Sequence, residues 1–108
     1  MGGNVIELPD DFIGKEDEAR LESFGAHLVG HGWATRWHWN RDHGIDLAFE
    51  VFRGGSNEEL FLAIRRDRAK DVFYVCDAVG RRVEEGKLEH VMAVADSMAR
   101  TLKRSGPA

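Results

Sequence analysis

The feature that most constrains this chain is an alternation of apolar and polar side chains across its middle. Trp33, Trp37 and Trp39 fall on odd positions, followed by Ile45, Leu47, Phe49 and Val51. The parity then switches to even with Leu60, Leu62 and Ile64, and returns to odd with Phe73 and Val75. A period of two is what a strand shows when one face is buried and the other is not. Residues suited to turns separate the runs, at Asn40 to Gly44, at Gly54-Gly55-Ser56-Asn57 and at Asp67 to Lys70. The pattern predicts an antiparallel meander of four strands over 33–40, 45–53, 59–66 and 71–79. Making the apolar sides coincide sets Trp37 opposite Leu47, Val51 opposite Leu62 and Leu62 opposite Val75.

Helical periodicity flanks this region. Leu21, Phe24 and Leu28 line one side of a helix predicted over 15–31, with Glu16, Asp17 and Glu18 at its positive end and Gly30 or Gly32 to stop it. A second helix is predicted over 84–104. Leu88, Val91, Met92, Ala95, Met98, Ala99 and Leu102 recur three and four apart, after Glu84 and Glu85 and before Lys103 and Arg104. The expected fold is α+β: a two-layer sandwich of a four-stranded antiparallel meander sheet with an N-terminal and a C-terminal helix. One domain spans 15–105, after an arm at 1–14, in which Val5-Ile6-Glu7-Leu8 reads as a short edge strand, and before a tail at 106–108.

Composition narrows the class. The chain has 108 residues, 43% of them hydrophobic and 31% charged, enough for a single core without a metal or disulfide clip. One cysteine, Cys76, excludes a disulfide framework and a four-thiolate zinc site. No apolar run approaches the roughly 20 residues of a membrane helix, and no basic-then-apolar leader opens the sequence. A cytoplasmic protein with no membrane partner is expected. Residues 1–31 carry seven acids against two bases, and the chain's net charge is −4. That balance argues against general phosphate-backbone binding.

Histidine supplies one candidate chemistry. His27 and His31 stand four apart, the spacing of two ligands on one helical face, and His38 and His43 follow. Three imidazoles and a carboxylate would suit zinc or iron. Against this, Leu28, Val29 and Gly30 leave no glutamate in the zinc-protease position, and His38 alternates with core-facing tryptophans. No cofactor is expected, and a histidine-based metal protein or metalloenzyme is the alternative. The register also sets His38 opposite Asp46 and Arg36 near Glu50. A His–carboxylate pair is half of a general base, but no serine or cysteine stands beside it as nucleophile.

Bases concentrate at one end of the expected sheet, where Arg41 and the turn bearing Arg66, Arg68 and Lys70 emerge together. An anionic partner, nucleic acid included, is a second alternative, diluted by Asp42, Asp67 and Asp71. The element order is similar to that of the double-stranded-RNA-binding domain, but Glu84 and Glu85 stand where that module carries phosphate-clamping lysines.

The remaining feature is the sheet face away from the tryptophans. The register sets Phe52 across from Phe61 and Phe61 across from Cys76, with Tyr74, Ala48, Ala63, Val72 and Ala78 around them. A face this apolar is expected to be covered, by a helix of the same chain or by another chain. The expected function is a non-enzymatic protein–protein interaction or regulatory module of the inhibitor or adaptor kind. Phe52, Phe61, Tyr74 and Cys76 contact the partner, with Arg36 and Glu50 at the rim, and the partner includes a second copy.

Overall fold

A computed structural model describes residues 13–40, 47–54, 57–67 and 69–105. The elements are α1 (Lys15–Gly30), β1 (Arg36–Asn40), β2 (Ala48–Arg53), β3 (Glu59–Asp67), β4 (Val72–Asp77), β5 (Arg82–Gly86) and α2 (Leu88–Ser105). The strands form one antiparallel sheet in the order β1-β2-β3-β4-β5. The class is α+β as expected, with five strands rather than four. Residues 1–12, most of the expected arm with Val5–Leu8, lie outside the described residues, as does the 41–46 stretch, which takes in the expected start of the second strand.

The extra strand comes from a turn that the charge pattern conceals. Glu84 and Glu85 look like the acidic start of a helix, yet they belong to β5, and α2 begins at Leu88. A hairpin reverses the chain after Asp77. The Asp77 carboxylate accepts the backbone N–H groups of Val79 and Arg81, and Gly80 adopts φ 88°, a conformation that suits glycine. These bonds hold the Asp77 carboxyl below its ordinary range, the Arg81 N–H contributing most.

Both helices pack on the same face of the sheet. Leu21 and Leu28 of α1 and Val91, Ala95 and Ala99 of α2 share one core with Phe49, Val51, Leu62, Ile64 and Val75. Phe49, Leu62 and Val91 are fully buried, and Trp37, Trp39, Phe73 and Met98 pack half-buried against them. Ile13, just before α1, is also fully buried in this cluster. The helix α1 comes close to β1 because residue 25 is glycine: a Cβ there would lie 2.5 Å from Trp37 Cδ1.

The register differs from the sequence expectation in an instructive way. Val51 opposes Leu62 as expected, but Trp37 opposes Val51 rather than Leu47, and Leu62 opposes Asp77 rather than Val75. Both slips are even, so each residue keeps its face. An irregularity between Val51 and Phe52 does more: Phe52 opposes Leu60, and Phe61 is the extra residue of a bulge. A bulge places two neighbouring residues against one. Phe61 accordingly joins Leu62 in the core, 8% exposed. Its expected place opposite Phe52 belongs to Leu60.

Two substitutions test this packing. Truncating Phe49 to alanine should cost about 3–5 kcal/mol in denaturant melts, the range for a buried aromatic. Gly25→Ala should cost about 1–3 kcal/mol by overpacking, with a change in tryptophan fluorescence as Trp37 is displaced.

Candidate functional site

With α1 and α2 both committed to one face, the other face of the sheet carries neither helix. It is not a plain apolar patch. Two aromatic rings lie on it, one on each side of β3, and each is capped by cationic side chains from the neighbouring edge strand.

On the β1–β2 side, Phe52 lies beneath the Arg36 guanidinium, 4.3 Å from the ring centroid, and meets the His38 ring edge-on at 5.1 Å. Arg36 opposes Phe52 in the register. Its Nε donates to Glu58 Oε1 at 2.6 Å. The expected neighbour of Arg36, Glu50, belongs to His38 instead: the two oppose each other and bond through His38 Nε2 and Glu50 Oε1 at 2.8 Å. Asn40 Nδ2 donates to the second Glu50 oxygen at 3.1 Å, so a carboxylate only 15% exposed is held on both sides. Asp46, the expected partner of His38, lies outside the described residues.

On the β4–β5 side, Tyr74 lies beneath the Arg82 guanidinium at 3.8 Å. Arg82 Nη1 donates to Asp67 Oδ2 at 2.9 Å and Glu85 Oε1 at 3.1 Å, and Lys70 Nζ lies 3.4 Å from both Glu85 oxygens. The Arg82 hydrogen bond, then the Lys70 N–H, holds the Asp67 carboxyl below its ordinary range; Arg82, then Lys70, does the same for Glu85. Arg82 is raised in turn. Between the two rings lie Ala63 and Ala48, 7% and 6% exposed, with Cys76 opposite Ala63. Burial pushes the Cys76 thiol upward, away from the thiolate, against the pull of Arg65 and Arg82.

Sequence reasoning brought Arg36, Glu50, Phe52, Tyr74 and Cys76 to this face. It missed Leu60, for which the residue pattern holds no signal, and the group of Arg82, Asp67 and Glu85, for which Asp77 and Gly80 were the signal of a fifth strand.

The histidines divide. His27 and His31 are neighbours on α1 with ring centroids 4.6 Å apart. His31 stacks on Trp33, and His27 Nε2 lies 3.2 Å from Asp96 Oδ1 on α2. His38 sits on the other side of the sheet, and His43 lies outside the described residues. Among the described residues no three histidine, cysteine or carboxylate side chains gather as a metal ion requires.

At the expected basic end, Arg41 and Arg68 lie outside the described residues. Arg66 pairs with Asp71 and lies 5.7 Å from the Phe73 ring, on the helix side of the sheet, while Lys70 is held by Glu85. No helix among the described residues is long and apolar enough to cross a membrane. Compared with protein-family models, curated proteins and solved structures, the chain matches none.

Two measurements follow from this chemistry. Asp67 and Glu85 have depressed carboxyl values when folded, so their contribution is complete above the ordinary carboxylate range and is lost as pH falls through and below about 4. Asp67→Asn should flatten the acid limb of a stability-versus-pH curve while leaving the histidine range near pH 6.5 unchanged. For the histidines, melts with and without a chelator should superpose. Stoichiometric zinc or iron, lost together with a fall in Tm, would instead establish the metalloprotein alternative.

Proposed function

We propose that this protein is a small non-enzymatic interaction module that binds a protein partner on the open face of its sheet. The supporting observation is the pair of capped rings, Arg36 over Phe52 and Arg82 over Tyr74, on a face that neither helix occupies. Arginine and tyrosine are the residue types that dominate binding energy at protein interfaces. Here their guanidinium groups are already oriented by Glu58, Asp67 and Glu85, so less side-chain freedom is lost on docking. At the centre of the face Ala63 and Ala48 alternate with Glu50 and Arg65, so the surface offered there is polar as well as aromatic.

Charge distinguishes this reading from a phosphate partner. On and around the face Arg36 is matched by Glu58, Lys70 by Glu85, Arg82 by Asp67 and His38 by Glu50. Nucleic-acid binding draws on a surplus of cations, and among the described residues the cations in these pairs each already face an acid. A protein surface of mixed charge is the better complement.

Site-specific photocrosslinking tests the reading. A benzophenone side chain placed at Tyr74 in cells should give discrete crosslinked species. The same group at Val79, 78% exposed in the β4–β5 turn, should not. Loss of products at Tyr74 on Phe52→Lys, with circular dichroism unchanged, would complete the case. Equal labelling at both positions, or none at either, would sink it.

A further inference from the structure

The sheet ends in two edges, and they are built differently. A strand edge presents a row of unpaired N–H and C=O groups, and natural sheets blunt such rows with charge, bulges or proline. The β5 edge is blunted twice. Its sequence is Arg82-Val83-Glu84-Glu85-Gly86, and Val83 is the extra residue of a bulge where the register with β4 shifts. The β1 edge is blunted by neither. Arg36-Trp37-His38-Trp39-Asn40 pairs with β2 in unbroken register. Every second residue turns its backbone groups outward, where no described strand meets them.

Beside that edge lies a groove. The helix α1 packs against β1 through Gly25 and Trp37, and Glu22, Ala26 and Val29 recur four and three residues apart along one side of it. Ala26, Val29, Gly30, Thr35, Arg36 and Trp37 line a groove of about 440 Å³. No β2 residue lines it, so it opens on the outer side of β1. Val29 is 38% exposed, one of three large apolar side chains that the described residues leave in water, and the other two lie at the β4–β5 hairpin. Further along β1 the groove turns acidic. Glu22 Oε2 accepts the Trp39 indole N–H at 2.9 Å, and no cation pairs with Glu22 among the described residues.

We propose that the outer edge of β1 is a strand-addition site for an extended, basic segment of another protein. The backbone sets the kind of occupant, since only an extended chain offers donors and acceptors at the spacing of a strand. Side chains set the rest. Alternate residues of an added strand point to the helix side. One apolar side chain then fills the space between Val29 and Trp37, and a lysine or arginine further along faces Glu22. Charge agrees: α1 carries Glu16, Asp17, Glu18 and Glu22 against Lys15 and Arg20, and the whole chain carries −4. The site is separate from the open face, with Arg36 at their boundary.

A library of random ten-residue peptides, selected on the full chain and counter-selected on Val29→Arg, tests the site. Enriched sequences should alternate apolar residues and carry a lysine or arginine. A synthetic peptide of that sequence should shift the amide resonances of Arg36 to Asn40 and leave those of β5 unmoved. Its affinity should fall about tenfold or more when the peptide amides facing β1 are N-methylated, because the backbone bonds are lost. Val29→Arg and Ala26→Lys, both at exposed positions, should weaken it as much. Glu22→Gln, which keeps an acceptor for Trp39, should weaken it by about threefold, the scale of an exposed ion pair. No enrichment over the counter-selected chain overturns the site. So does a peptide that binds equally well when N-methylated, or one whose shifts fall on Phe52 and Tyr74 and spare β1. Magnetisation transfer between β1 and residues 1–12 in the free chain would show the edge filled by this chain itself and overturn the foreign segment. A two-chain mass in sedimentation that Val29→Arg returns to one would overturn it in favour of a second copy. The photocrosslink at Tyr74 reports on the open face alone, so either surface can fail without the other.

Discussion

Phe49 ties the molecule together. It is fully buried, and its ring meets Phe24 of α1 at 6.4 Å, Trp37 at 5.5 Å and Trp39 at 5.4 Å. One side chain on β2 thus joins the first helix, the edge strand and the interior. Those contacts exist only if α1 lies on the odd-numbered face of β2, and the glycine at position 25 is what lets it come close enough. The second helix follows the same constraint, because its apolar stripe has the same Val51, Leu62, Ile64 and Val75 surface to cover. Burial of one face by both helices is therefore what leaves the other face without either.

Arg53 locks that arrangement at the far end of β2. Its guanidinium lies 4.0 Å from the Phe61 ring, and its Nη2 donates at 3.0 Å to the carbonyl oxygens of Trp33 and Ala99. Burial lowers the ordinary value of this group, though an arginine remains charged throughout the accessible range. The carbonyls satisfy the cation without a carboxylate, and one of them belongs to the middle of α2. A single side chain so connects the loop after α1, the bulge in β3 and the second helix. It reaches them because the bulge turns Phe61 to the helix side, where a regular ladder would have sent it to the open face.

The consequence is a difference in character between the two faces. The helix face takes the large aliphatic residues into the core. The open face keeps its aromatic rings beneath cations whose charges are already met by nearby acids. The guanidinium groups of such a surface are held in place by its own acids, which supports the proposed protein partner. The histidines reflect the same separation. His27 and His31 serve the junction of α1 with α2 and Trp33, while His38 fixes Glu50 on the opposite side of the sheet.

What the sequence determined by itself was the face of most residues in the first four strands, the first helix and the apolar stripe of the second. Period two and period 3.6 are local signals, and they survive a slip in pairing so long as the slip is even. Both of the slips seen here, between β1 and β2 and between β3 and β4, are even, so Trp37, Phe49, Leu62 and Val75 stayed inside and Phe52, Tyr74 and Cys76 stayed outside. Tertiary structure decided what no local period carries. An odd irregularity at Val51 and Phe52 exchanged Phe61 for Leu60, because the bulge's extra residue is set by how β2 and β3 fit together. Glu84 and Glu85 pair with Val75 and Tyr74 of β4 in place of the helix start that their charge suggested. The grouping of Arg82 with Asp67, Tyr74 and Glu85 followed from that pairing, from three strands whose meeting no single stretch of sequence records.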